Sequence, residues 1–211
     1  MFDVEYRGGN AVVLSTKKTT LMVDPRLSLF GLKDIKTKDE VELATESRFV
    51  VENSEARTII DQPGEYEVGD FTIKGIAATR HIDKPDDEQL STIYRIECGD
   101  VKVALIGNIA PKLTDEQLET LGMIDIVILP VGGNGYTLDA VSAVAIVRQT
   151  EPKLVIPVHY ADSGLSYEVP QDSVEVFEKE LGAPVEKLAK LKVKSGVILP
   201  ETLTVIELSR S

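Results

Sequence analysis

Two histidines, His81 in A-T-R-H-I-D and His159 in I-P-V-H-Y, carry the clearest chemical potential in this 211-residue chain. An imidazole titrates near neutrality and serves as general acid, general base or metal ligand. Both histidines follow apolar runs that read as strand ends, where side chains gather at a sheet edge. Other polar groups stand at similar places: Asp24 before Pro25, Asn108 in I-G-N, and Glu46 and Arg48 in T-E-S-R-F-V-V-E-N over 45–53. Glu46 and Arg48 suit an ion pair, because a buried charge needs a partner. Three chemistries are open: one metal held by His81, His159 and a carboxylate such as Glu46 or Asp83; metal-free acid–base work by the same groups; or two hydrogen-bonded core histidines with no catalytic role. Glu65 in P-G-E-Y-E reads as a turn residue or as one that supports the site from behind. The run V-G-G-N-G-Y over 131–136 lacks the G-x-x-x-x-G-K-[ST] pattern of a phosphate loop, and reads as a tight turn bringing Asn134 and Tyr136 to the mouth of a site. Cys98, the only cysteine, reads as a packing residue with no disulfide partner.

These groups need a scaffold of strands. Runs at 11–14, 19–23, 57–60, 71–76, 92–97 and 101–106 are rich in Val, Ile and Thr and bounded by Gly, Asp or Pro, the pattern of short strands. Gly69-Asp70 and Gly99-Asp100 signal hairpin turns. The first 110 residues therefore predict mostly antiparallel β structure. The rhythm then changes to helix 114–121, buried strand 126–130, helix 138–149, strand 154–158 and helix 172–181. Thr114 and Gln117 form a capping-box pattern, and Val174, Phe177 and Leu181 recur at helical spacing. Residues 185–211, with Lys190, Lys192 and Lys194 alternating with Leu191 and Val193, predict an additional C-terminal β-hairpin or edge. The charged stretch 82–89 reads as a mobile loop inside a single domain spanning 1–211.

Composition narrows the partners. A formal charge of -12 argues against nucleic acid, since binding a phosphate backbone depends on clustered Lys and Arg. There is no run of 18 apolar residues and no basic-then-apolar leader, so no membrane association is expected, and a reducing cytoplasmic setting fits.

The segments V-E-Y-R-G-G-N-A-V-V-L and T-T-L-M-V-D-P, then P-G-E-Y-E-V, I-G-N, L-T-D-E-Q-L-E-T-L-G, L-P-V-G-G and I-P-V-H-Y, in that order and spacing, resemble the metallo-β-lactamase superfamily. Within it they are similar to the small Zn-dependent hydrolases related to the L-ascorbate-6-phosphate lactonases, from about Phe2 to Tyr167. The resemblance implies an αββα sandwich. It also implies a dinuclear zinc pocket, formed by a His-x-His-x-Asp-His loop, a further His, a bridging Asp and a last His, whose shared hydroxide attacks the substrate. Carried onto this chain, the loop positions are Glu46, Arg48, Val50 and Val51; the further His is His81, the bridging Asp is Asn108, and the last His is His159. Asp24 is implied as the strand-end residue that orients the loop. Val50 and Val51 have no donor atoms, Asn108 is neutral, and Arg48 brings a permanent positive charge where a dication would sit.

The expectation is thus a metallo-β-lactamase-like fold whose former metal pocket comprises Asp24, Glu46, Arg48, Val50, Val51, His81, Asn108 and His159. No bound cofactor is expected, and the protein would act as a non-catalytic binding or scaffold module for a small molecule or a protein, with a homo-oligomer possible. The alternative is a lactone or phosphodiester hydrolase rewired to one Zn, Mn or Fe ion on Glu46, His81 and His159, or to metal-free chemistry with His81, His159 and Asn108 as catalytic candidates.

Overall fold

The computed structural model describes residues 1–81, 90–194, 196 and 199–211. Alternating apolar residues build β1 (Phe2–Gly8), β2 (Ala11–Ser15) and β3 (Thr20–Val23) as an antiparallel meander. In β1, Phe2, Val4 and Tyr6 face inward while Asp3, Glu5 and Arg7 face outward, the period-2 pattern of a strand with one buried face. Then β4 (Val41–Leu43) and β5 (Thr58–Ile60) join β3 in parallel, the exception in a stretch that is mostly antiparallel as expected. Such short strands carry too little pattern to reveal their direction.

The second sheet holds β6 (Gly64–Val68), β7 (Phe71–Thr79), β8 (Leu90–Cys98) and β9 (Val101–Leu105) as antiparallel neighbours, followed by the parallel β10 (Ile126–Pro130) and β11 (Leu154–Val158). The two turn signals hold: Gly69 and Gly99, both at φ 60°, link β6 to β7 and β8 to β9. Helices α1 (Asp115–Leu121), α2 (Ala140–Thr150) and α3 (Val174–Leu181) pack on this sheet. Thr114 and Gln117 form the reciprocal capping box at α1, and the Asp139 side chain caps α2.

The sheet orders are β13-β1-β2-β3-β4-β5 and β12-β14-β11-β10-β9-β8-β7-β6, where β12 is Val185–Leu188, β13 is Leu191–Val193 and β14 is Thr204–Leu208. The expected C-terminal hairpin is corrected: β12 runs parallel to β14 in one sheet, while β13 pairs with β1 in the other. β12 and β13 do end as edges, as the alternative reading had it. A core containing Phe2, Tyr6, Leu14, Leu21, Ile73, Tyr94, Ile96, Ile128 and Ile156 lies between the sheets. On its outer side, the six-stranded sheet meets 3-10 turns at Leu27–Phe30 and Ser47–Phe49, whose Leu27, Phe30 and Phe49 cluster with Ala11 and Ala44. Among the described residues this is a mixed α/β architecture of two sheets, with three helices on one of them and 3-10 turns on the other, in agreement with the expected layers. The stretch 82–89 that read as a mobile loop, and with it Asp83, lies outside the described residues. Among the described residues no helix is long and apolar enough to cross a membrane.

Candidate functional site

The site forms where β3, β4, β9 and β11 end together. Asp24 terminates β3 in the left-handed region at φ 44°. Its two carboxylate oxygens accept from the backbone N and the Oγ1 of Thr45, each at 2.7 Å. Complete burial nevertheless pushes its carboxyl up to about 7, because desolvation outweighs the two Thr45 bonds. Thr45 is held from its other side as well, its carbonyl accepting from Thr92 N at 2.8 Å and Ser91 Oγ at 3.1 Å. Gly107 packs against it so closely that a Cβ there would lie 2.6 Å from Thr45 Cβ and Oγ1. The I-G-N glycine therefore lets the two chain segments meet.

That clamp aims Glu46 into the molecule. Only 5% exposed, Glu46 sits at the start of the 3-10 turn Ser47–Phe49. A single oxygen, Oε2, lies 2.8 Å from Arg48 Nε and 2.7 Å from Arg80 Nε. The other, Oε1, accepts from Asn108 Nδ2 at 3.2 Å and, more weakly, from Arg48 Nη2 at 3.5 Å. Burial raises the Glu46 pKa, opposed by Arg48 and then Arg80. Burial alone would lower the Arg48 pKa, but Glu46 and Tyr136 hold it above its ordinary value. Tyr136 joins the two cations: its hydroxyl accepts from Arg48 Nη1 and, at 3.4 Å, from Arg80 Nη2, while both guanidiniums lie near its ring face, at 5.2 and 5.8 Å from the centroid.

His159 ends β11 at φ 49° and is 1% exposed. Its backbone N donates to Gly9 O at 2.8 Å, and its Nδ1 donates to Asn10 Oδ1 at 2.9 Å. Phe30 meets the ring edge-on at 5.3 Å, and Tyr167 lies tilted at 4.9 Å. Burial, with Arg48 nearby, lowers the His159 pKa to about 3, so the ring is neutral. Nε2 has no hydrogen-bond partner among the described residues, and His159 lines a cavity of about 20 Å³ with Arg48, Tyr136 and Gln171. The Asn108 carbonyl accepts from the His81 backbone N at 2.9 Å, and Arg80 bridges to Ile109. His81 is thus brought to the same edge by its backbone.

Asp24, Glu46, Arg48, Asn108 and His159 therefore converge, with His81 beside them. Val50 packs on the Phe30–Phe49 cluster, while Val51 donates its backbone N to Glu42 at 3.3 Å. Several members escaped the sequence reading. Arg80 had one available signal, its place next to His81. Asn10 follows a glycine pair at the β1 turn, and Tyr167 lies far along the chain. Glu42 is fully buried and has no cation partner among the described residues, accepting from Thr37 Oγ1 at 2.5 Å and from Ser54 Oγ on Oε1. It ties together the two ends of the loop that carries Glu46 and Arg48.

The donor set does not fit a dinuclear zinc centre. Such a centre needs several anionic or imidazole donors around each ion. Among the described residues no group of three or more His, Cys, Asp or Glu could hold a metal. Glu46 is already shared by two guanidiniums, and each Asp24 oxygen accepts a hydrogen bond from Thr45.

A family model described as the β-lactamase superfamily domain matches residues 3–159. A UPF0173 metal-dependent hydrolase of Natranaerobius thermophilus is 42% identical over 64 residues, a stretch covering 30% of this chain and 27% of that protein. Among solved structures, a protein of Thermotoga maritima assigned to the Zn-dependent hydrolases of the metallo-β-lactamase superfamily superposes with a TM-score of 0.76 at 22% identity, over 99% of this chain and 100% of that one. A metallo-hydrolase of Ignicoccus hospitalis gives 0.60 at 16% identity, over 86% and 90%. The metallo-β-lactamase fold protein YhfI of Bacillus subtilis gives 0.59 at 12% identity, over 98% and 96%. At these identities the structures speak to the fold alone.

Proposed function

We propose, from the premise that this chain belongs to the β-lactamase superfamily domain family, that it is a non-catalytic binding or scaffold module in which a guanidinium pair stands where hydrolytic metals would be. The observation that carries this reading is Glu46 Oε2 within 2.8 Å of Arg48 Nε and 2.7 Å of Arg80 Nε. Two permanent cations compensate the carboxylate at Oε2, and Asn108 donates to Oε1. A metal entering here would meet positive charge at close range and have to displace at least one guanidinium, while Val50 and Val51 supply no donor. Hydrolysis by a metal-bound hydroxide also needs an open coordination position beside the substrate, whereas Arg48 here is engaged with Tyr136.

The neutral His159, with its pKa lowered to about 3, is a weak general base at neutral pH. That counts against the alternative of metal-free hydrolysis through the same ring. The partner in this reading is a small molecule or a protein, recognised at the polar mouth of the site.

The test is elemental analysis for manganese, iron and zinc on protein purified without chelator, paired with turnover of a lactone and a phosphodiester. No stoichiometric metal and no turnover are the expected results. Stoichiometric metal lost on His159→Ala, or chelator-resistant turnover abolished by that change, would overturn the reading.

A further inference from the structure

Arg48 and His159 line one cavity, and each has hydrogen-bonding capacity left over. The Arg48 guanidinium has N–H groups on three nitrogens. Nε lies 2.8 Å from Glu46 Oε2 without donating to it, Nη2 donates weakly to Glu46 Oε1 at 3.5 Å and Nη1 donates to Tyr136, which leaves one N–H on each terminal nitrogen. Two parallel N–H groups are the arrangement that grips a carboxylate bidentately. On the opposite side, Asn10 Oδ1 accepts from His159 Nδ1, so Nε2 carries a lone pair and calls for a donor.

We propose that this pocket is a metal-free receptor for a small carboxylate that bears a proton donor, hydroxyl or amine, on its α carbon. The proposal rests on the reading of the site as free of metal. The α substituent enters the cavity and donates to His159 Nε2, and the carboxylate stays at the rim on Arg48.

Size sets the division of labour. A cavity of about 20 Å³ holds one water, and so a hydroxyl or amine, but not a whole ligand. Arg48, whose side chain keeps 27% exposure, can meet a carboxylate arriving from solvent. The walls are Leu29, Phe30, Phe49 and Tyr167, which exclude competing water and strengthen both polar contacts. They also limit the α carbon to small substituents. Glu168 stands on the same rim, engaged with the Tyr136 phenol. Its charge repels an anion that lacks the anchoring donor, so the α substituent decides which carboxylates stay.

With only two histidines in the chain, the His81→Gln variant leaves His159 as the sole imidazole in a ¹⁵N spectrum. The expected free spectrum shows Nδ1 protonated and Nε2 bare. Titration with glycolate and with glycine should shift Nε2 saturably, and the two arms tell a hydroxyl from an amine. Acetate, which lacks the donor, and methyl glycolate, which lacks the charge, should bind about ten-fold more weakly than the better of the two. Arg48→Lys, which keeps the positive charge beside Glu46, should weaken binding by about ten-fold because the bidentate contact is lost. Acetate binding as tightly as both α-substituted acids, Arg48→Lys binding them undiminished, or a proton on Nε2 would each overturn the proposal. A zinc-induced shift of His159 Nε2 would instead overturn the metal-free reading beneath it. Silence towards both zinc and the acids would refute the receptor and leave that reading standing.

Discussion

Removing Glu46 should cost more stability than removing Arg48, although the two form one ion pair. Glu46 is 5% exposed and compensates two guanidiniums through a single oxygen, with Asn108 on the other. Glu46→Ala leaves Arg48 and Arg80 facing each other without the anion between them, and breaking a buried ion pair from one side costs on the order of 3–5 kcal/mol. Arg48→Ala is different, because Arg80 still neutralises Glu46 from 2.7 Å. What is lost is a charge-assisted contact worth roughly 1.5–3 kcal/mol when buried, discounted here because the Arg48 side chain is 27% exposed and the contact partly screened. The expected loss is about 1–2 kcal/mol. Urea unfolding followed by circular dichroism measures both, with unchanged slopes confirming that the midpoint shifts report stability. In the double variant the costs should fall short of additive, since only one guanidinium, that of Arg80, then loses its contact with Glu46. Arg48→Ala costing as much as Glu46→Ala would refute the shared-oxygen argument, and a neutral Glu46→Ala would show that the cluster contributes nothing to folding.

Asp24 and His159 should push stability in opposite directions with pH. The Asp24 carboxyl is raised to about 7, so its contribution is full below its unfolded pKa and is lost as pH rises through about 7; that of His159, lowered to about 3, is full above its unfolded value and is lost as pH falls towards about 3. Between about pH 4 and 6.5 the two slopes cancel, each about 1.4 kcal/mol per pH unit. Asp24→Asn should therefore make stability rise with pH across that window relative to the parent, and a flat difference between the two urea series would sink the claim. Replacing Glu46, Arg48 and Val51 by His, and Val50 and Asn108 by Asp, should give only weak zinc uptake, because Arg80 remains 2.7 Å from the old carboxylate position; adding Arg80→Gln should strengthen it in a competition titration, and equal affinity with and without that change would refute the role given to Arg80. Gly107→Ala should destabilise by about 1–3 kcal/mol, because its Cβ would lie 2.6 Å from Thr45; an unshifted melting temperature would show that the clamp on the loop is slack.

The sequence by itself determined most of the elements and the identity of the edge where they meet. Period-2 alternation set β1, the glycine turns set the β6–β7 and β8–β9 hairpins, and Thr114 with Gln117 set the start of α1, because each signal is local and acts within a few residues. The Glu46–Arg48 pair was legible for the same reason, its partners being two residues apart. Partner choice across distance was not. Nothing in A-T-R-H-I-D says that Arg80 rather than His81 turns its charge to Glu46, and the Asn10–His159 bond joins residues 149 apart. Likewise the alternation in 185–208 announced strands but not that β12 and β13 belong to different sheets, since an edge strand buries the same face whichever neighbour it takes. Tertiary structure alone decided how one buried carboxylate comes to balance two arginines. The fold brings the end of β7 to the loop after β4, and once buried there, Glu46 takes every cation within reach because the interior offers it no water.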